Sequence, residues 1–225
     1  MAIILNIETA TTNCSVSLSK HGETFALQED FDKQYSHAER LHVYIDTLLK
    51  ENDVKRSQLN AIAVSKGPGS YTGLRIGVSA AKGLSFALDI PLISVSTLEA
   101  LAKQVKIEKG VIIPMLDARR LEVYSAIFDA NYNILRNIEA QILDADAFRD
   151  YLNNGKVYFI GNGVEKTKLL ITHENAIYIE DKLPSANEMG LIAHEKYKKN
   201  DIEDVAYFEP FYLKDFVALK PKPKS

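Results

Sequence analysis

One stretch constrains this chain more than any other: Lys66-Gly67-Pro68-Gly69-Ser70-Tyr71-Thr72-Gly73-Leu74-Arg75-Ile76-Gly77. An apolar run over residues 61–64 leads into it and predicts a buried strand. The run over residues 74–88, apolar and rich in small side chains, leaves it and predicts a helix. Strand, glycine loop and helix form a frame in which backbone N–H groups and a helix N-terminus converge on one spot, which favours an anion. The same frame also serves as a tight packing turn, and spacing does not choose between the two. Two familiar phosphate patterns fail. Gly67, Gly69 and Gly73 are spaced one residue too wide for Gly-x-Gly-x-x-Gly. Gly73 is followed by Leu74, so the Gly-Lys-Ser/Thr ending of a P-loop is missing.

The 225 residues suit one large domain or two small lobes, and 46% hydrophobic content supplies a sizeable core. No apolar run approaches the ~20 residues of a membrane span. The opening Met1-Ala2-Ile3-Ile4-Leu5 lacks a basic segment and soon meets Glu8, so it reads as a strand and not as a signal peptide. A lone Cys14 excludes an internal disulfide and fits a reducing cytoplasm. The formal charge of −3 argues against a free-standing, high-affinity nucleic-acid binder. It leaves room for a subunit of a larger nucleic-acid enzyme.

Residues 3–7, 15–19 and 23–30 predict three antiparallel strands, with a polar turn at Glu8-Thr9-Ala10-Thr11-Thr12-Asn13 between the first two. Such an opening begins an actin-like or sugar-kinase-like lobe. Ser36-His37-Ala38-Glu39 is a capping box for a helix that carries Leu41, Tyr44, Ile45, Leu48 and Leu49 at helical spacing. His37 and His42 lie roughly 140° apart around it, so they cannot share a metal and read as surface residues. On the next helix, Ile76, Gly77, Ala80, Ala81, Leu84 and Leu88 fall close to one side. Small residues there admit another backbone, from the chain's own sheet or from a second protein.

Further strands are predicted at 91–95, 111–116, 122–128, 134–142, 157–160 and 177–179. Ser96, Asp144 and Ser185 are predicted to cap helices that run to Val105, Leu152 and Tyr197. The antiparallel opening recurs at Val111. The expectation is two similar α/β lobes, over residues 1–105 and 106–206, and a tail over 207–225. That tail is aromatic, then basic at Lys214, Lys220, Lys222 and Lys224, and reads as solvated.

Chemistry-bearing patterns are sparse. No Cys/His cluster has zinc spacing. No Gly-x-Ser-x-Gly elbow appears. Cys14 reads as a buried thiol, Asp117 with Arg119 as a turn ion pair or a ligand pair, and Glu8 as a weak metal site on its own.

Several pieces now stand together: the glycine block, Ile7-Glu8-Thr9-Ala10, Val95-Ser96-Thr97-Leu98, Leu116-Asp117-Ala118-Arg119 with Glu122-Val123-Tyr124, and Glu209-Pro210-Phe211-Tyr212-Leu213. In their order along the chain, over nearly its whole length, they resemble the TsaB family, also called YeaZ. The resemblance implies an actin-like (ASKHA, ribonuclease H-like) α/β fold of two similar lobes, each a mixed sheet flanked by helices. It implies a non-catalytic scaffold subunit in making threonylcarbamoyladenosine, the modified base next to the anticodon in tRNAs reading ANN codons. The implied partner is TsaD, paired through helices near 36–51 and 73–88 and activated by the pairing. The expected contacts are Leu41, Tyr44, Ile45, Leu48, Ile76, Gly77, Ala80, Ala81 and Leu84, beside the family loop of Gly67, Pro68, Gly69, Ser70, Thr72, Gly73 and Arg75. The same surface implies a homodimer when the chain is alone. TsaE would join the assembled pair, tRNA would be met through the complex, and the setting would be cytoplasmic, without membrane or cofactor.

The related enzyme TsaD holds a metal with His-x-x-x-His. The matching positions here look like Thr97 and Leu101, and Leu101 cannot ligate. The opening turn also lacks the Asp-x-Gly-Thr of nucleotide-binding relatives. Two alternatives are a glycoprotease-like peptidase, which needs an activated nucleophile or a metal, and a small-molecule kinase of the same fold, which needs an intact phosphate turn.

Overall fold

The computed structural model describes residues 2–30 and 37–214. Ser36 and the tail lysines Lys220, Lys222 and Lys224 lie outside the described residues. The first sheet is built from β1 (Ile3–Glu8), β2 (Cys14–Lys20), β3 (Glu23–Asp30), β4 (Leu59–Gly67) and β5 (Leu92–Ser96), in the order β3-β2-β1-β4-β5. The second contains β6 (Val111–Asp117), β7 (Glu122–Asp129), β8 (Ile134–Ile142), β9 (Val157–Ile160) and β10 (Ala176–Ile179). Its order, β10-β9-β6-β7-β8, is the first order repeated one lobe on. In each sheet the three opening strands pair antiparallel and the two later ones join parallel. The expectation of two similar lobes with mixed sheets therefore holds.

β1 is buried on both faces, as a central strand between two helical layers must be. On one side lie α1 (His37–Glu51) and α2 (Tyr71–Leu88). Leu41, Ile45, Leu48, Val78 and Ala81 from these helices close over Leu5, Ile7, Val16 and Ile62. On the other side lies α6 (Met189–Lys198), whose Met189, Ile192 and Ala193 pack on Ile4, Ala61, Ile93 and Val95. The second sheet is covered on one face by α4 (Arg149–Asn154) and α5 (Val164–Leu170), and on the other by α3 (Thr97–Ala102).

The two helices nearest the lobe junction thus exchange sides. α3 lies in the first half of the chain, yet Leu98 and Leu101 pack on Ile112, Leu116 and Phe128 of the second sheet. α6 follows the second sheet in sequence, yet it completes the first lobe. α3 also keeps contact with the first lobe, where Ala100 packs with Ile4, Ala61, Ile93 and Val95. After α6 the chain runs back over the first lobe. Glu203 N–H donates to Leu92 O at 2.8 Å and Phe211 N–H to Lys66 O at 2.7 Å. Lys82 Nζ holds the carbonyls of Ala206 and Phe208 at 3.1 and 2.9 Å.

Three helix starts differ from expectation. α2 begins at Tyr71, with the Ser70 hydroxyl accepting Gly73 N–H at 3.2 Å. Asp144 caps only a turn, through Asp146 N–H, and α4 starts later because Phe148 turns into the core against Phe159 with φ 64. Ser185 does not cap α6. Its hydroxyl donates to Glu29 Oε2 at 2.7 Å across the sheet, and the helix starts at Met189. α5 had no expectation; its short run after Gly161-Asn162-Gly163 carries little periodic signal. Among the described residues no helix is long and apolar enough to cross a membrane.

The glycines of α2 explain its depth. A Cβ on Gly77 would strike the Thr9 hydroxyl, and one on Gly73 would strike the Thr9 carbonyl oxygen. Overpacking of this kind typically costs 1–3 kcal/mol. Gly77→Ala is expected to lower unfolding stability by about 2 kcal/mol. Urea denaturation checks it, and an unchanged midpoint would show that the helix moves away freely.

Candidate functional site

The loop between β4 and α2 was open to two readings, packing turn or anion cradle. The structure fills it with protein. A Cβ on Gly69 would meet Ala10, and Ser70 N–H donates to Ala10 O at 2.7 Å. The Thr9 hydroxyl donates to Gly73 O at 2.8 Å. Gly67, at φ 115, sits against the Phe211 carbonyl oxygen. The space above the glycines is taken by the turn between β1 and β2 and by the returning C-terminal segment. His37 helps close it: its Nε2 lies 2.7 Å from Thr11 O and its ring is buried, contrary to a surface placement, whereas His42 is exposed.

Beneath that turn lies Glu8, fully buried. Oε1 accepts Ala10 N–H at 2.6 Å and the Ser65 hydroxyl at 2.8 Å. Oε2 has no hydrogen-bond partner among the described residues. Burial pushes this carboxyl up from 4.5 to about 7, partly opposed by those hydrogen bonds. Thr97 and Leu101 are likewise fully buried, Leu101 within the core of the second lobe. Among the described residues no three His, Cys, Asp or Glu side chains gather as metal ligands. Cys14 is buried and its thiol is pushed up to about 11 by desolvation, the reverse of an activated nucleophile.

Two concavities border the start of α2. One is a cleft of about 420 Å³ between the lobes, bordered by Thr11, Ser70 and Tyr71 on one side and by Asp117, Arg119 and Tyr124 on the other. Asp117 does not pair with Arg119 through side chains. Its Oδ1 accepts Arg119 N–H at 2.6 Å and Lys166 Nζ at 2.7 Å. The other is a groove of about 670 Å³ on the outer face of α1 and α2, lined by Ala38, His42, Ile76, Ser79, Ala80, Gly83 and Leu84, with Tyr71, Thr72 and Arg75 at one end.

The nine expected contact residues divide across these helices. Leu41, Ile45, Leu48, Gly77 and Ala81 point inward, because an amphipathic helix spends its most apolar stripe on its own sheet. Ile76, Ala80 and Leu84 flank that stripe and border the groove. Tyr44 is half-buried, its hydroxyl donating to Asp30 Oδ2 at 3.0 Å. Sequence reasoning missed Ala38, Ser79 and Gly83. The signal was there in Gly83, a mid-helix glycine outside the inward stripe.

A protein of Escherichia coli strain K12 named tRNA threonylcarbamoyladenosine biosynthesis protein TsaB is 31% identical over 229 residues, covering 98% of each chain. The chain belongs to the TsaB family. The Bacillus subtilis strain 168 protein of the same name is 31% identical over 202 residues, covering 88% of this chain and 84% of the relative. The family described as TsaD, tRNA N6-adenosine threonylcarbamoyltransferase, matches residues 32–222, so TsaB proteins share that wider family. The solved structure of YeaZ from Pseudomonas aeruginosa superposes with a TM-score of 0.81 at 26% identity, over 95% of this chain and 100% of that one. The two-lobed body is thus the actin-like fold of this family, as the sequence led us to expect.

Glu8 gives a test of the buried turn. Its carboxyl ionises at about 7 when folded and near 4.5 when unfolded, so the unfolded chain releases the proton first as pH rises. The neutral carboxyl costs nothing below 4.5, and stability then falls as pH climbs toward 7. Relative to wild type, Glu8→Gln is expected to gain about 3 kcal/mol between pH 4 and pH 8. Urea melts across that range check it; parallel curves for the two proteins would refute the placement.

Proposed function

We propose that this chain is a non-catalytic subunit in the synthesis of threonylcarbamoyladenosine on tRNA. The names of its relatives support the pathway. Three observations favour a scaffold over an enzyme. The glycine loop is occupied by Thr9, Ala10 and Phe211, Cys14 is a buried thiol, and the positions resembling the metal ligands of TsaD are a buried threonine and a core leucine.

The partner in this reading is TsaD, seated in the groove of α1 and α2. The observation that carries it is Gly83. A Cβ added there would meet nothing within 4 Å, so the chain's own fold does not need the glycine. An exposed mid-helix glycine costs about 0.5–1 kcal/mol relative to alanine. That cost is offset where a second backbone must approach closely, in a helix-on-helix contact. Ser79 and Ala80 beside it keep the wall low, while Ile76 and Leu84 supply apolar surface. TsaD shares the fold, so it carries an equivalent helix pair, and two such pairs meet about a near-twofold axis. A second copy of this chain fits the same way, which gives the homodimer when TsaD is absent. TsaE joins the assembled pair, and the complex works in the cytoplasm.

Gly83→Ala is expected to stabilise the isolated chain by about 0.5–1 kcal/mol while weakening pairing. Gly83→Glu is expected to keep the fold and abolish pairing. Thermal melts read the first effect, and gel filtration with purified TsaD reads the second. Co-elution of folded Gly83→Glu with TsaD would sink this interface.

A further inference from the structure

The geometry points to the hairpin tip between β6 and β7 as a phosphate-binding element, which holds a single-stranded stretch of the substrate tRNA against the cleft between the lobes. This rests on the proposed role in tRNA modification and goes beyond it, since that role has tRNA reached only through the complex.

The first observation is the backbone. Arg119 and Arg120 lie consecutively in the left-handed region, at φ 68 and φ 50. That region suits glycine and asparagine and strains longer side chains. Such outliers persist only where their surroundings hold them, and they gather at functional sites. Here the holding is explicit. Lys166 Nζ donates to Asp117 Oδ1 at 2.7 Å, to Arg120 O at 3.0 Å and to Glu122 O. Asp117 Oδ1 also accepts Arg119 N–H at 2.6 Å, and Asn162 Oδ1 accepts Asp117 N–H at 2.9 Å.

The second observation is charge. The clamp consumes Lys166 and Asp117, while Lys214 pairs with Glu122. Both arginine side chains are exposed and form no ion pair among the described residues. Asp117 and Glu122 are each already paired, and Glu209 lies near Tyr212. A chain with a net charge of −3 therefore presents two unspent guanidinium groups side by side.

The third observation is what they border. Arg119 lines the cleft together with Tyr71, Tyr124 and Tyr212. The rings of Tyr71 and Tyr212 lie 5.0 Å apart, and Tyr212 is 39% exposed. At about 420 Å³ the cleft is of ligand size and holds a single splayed nucleotide. Aromatic faces for an unstacked base beside guanidinium groups for its phosphates are the means by which proteins hold single-stranded RNA.

The test uses the full chain paired with TsaD and an unmodified tRNA transcript, titrated by fluorescence anisotropy at several salt concentrations. Replacing both arginines, R119A/R120A, is expected to weaken binding about tenfold and to make the salt slope shallower by about 1.4, at roughly 0.7 per lost phosphate contact on a single strand. R119K/R120K should keep the slope. R119N/R120G relieves the backbone, so its Tm should rise by about 2–4 °C while tRNA affinity falls as in the alanine variant. Unchanged affinity and slope in either neutral variant, with the pair intact on gel filtration, would overturn the inference and leave the scaffold reading standing. So would a Tm that does not rise, or tripolyphosphate binding lost in the variants while tRNA binding is kept. Failure to pair with TsaD would strike the scaffold reading instead; the same variants are then compared as isolated chains on a single-stranded oligoribonucleotide, where equal affinities overturn the inference.

Discussion

The structure depends on one close approach. The turn between β1 and β2 presses its backbone onto the glycines at the start of α2, so that Thr9 meets Gly73 and Gly77 and Ala10 meets Gly69. Ser70 N–H and the Thr9 hydroxyl stitch the two backbones together. Side chains on those glycines would lift α2 from the sheet. Because it lies low, its apolar stripe seals the core and its small-residue flank faces outward with α1. The contact also closes over the glycines, with Ser70 N–H taken by Ala10 O, while Gly69, Ser70, Tyr71 and Thr72 border the cleft between the lobes. One packing event therefore closes over the glycines and leaves the small-residue flank of α2 exposed beside α1.

The two concavities are not separate features. Tyr71 and Thr72 border both the groove and the cleft. Tyr71 accepts a hydrogen bond from Arg75 at 2.6 Å and packs against Tyr212 of the returning segment. That segment is fastened to the glycine loop through Phe211 and to α2 through Lys82. A partner seated on these helices, as proposed, would touch residues that line the space between the lobes. Glu8 lies beneath this junction, a carboxyl kept mostly uncharged below neutrality by its dry surroundings.

Much of the fold was legible in the sequence because strand periodicity and the Ser96 cap are local signals. The repeated antiparallel opening gave away the second lobe. Less local matters were hidden. No pattern told that α3 and α6 pack across the junction, because both helices are apolar on the side they bury and either sheet would accept them. Ser185 looked like a cap until Glu29, far away in sequence, claimed its hydroxyl. On α1 and α2, periodicity picked out the apolar residues, but the most apolar ones serve the monomer. The exposed groove residues carry weaker signatures, chiefly smallness. The turn at Asp117 and Arg119 was legible as a turn, but its left-handed backbone was not, since nothing in its side chains announces one.

The exchange of α3 and α6 bears on how the chain is made. Synthesis runs from the N-terminus, and domains ordinarily close as they emerge. Here the face of the first sheet with Ile4, Ala61, Ile93 and Val95 meets Ala100 of α3 early, but lacks the cover of Met189, Ile192 and Ala193 until α6 at Met189–Lys198 leaves the ribosome. At about 5–20 residues per second, that apolar surface stays partly uncovered for several seconds after β5 is complete. The first half of the molecule is therefore completed by a segment made near the end of synthesis.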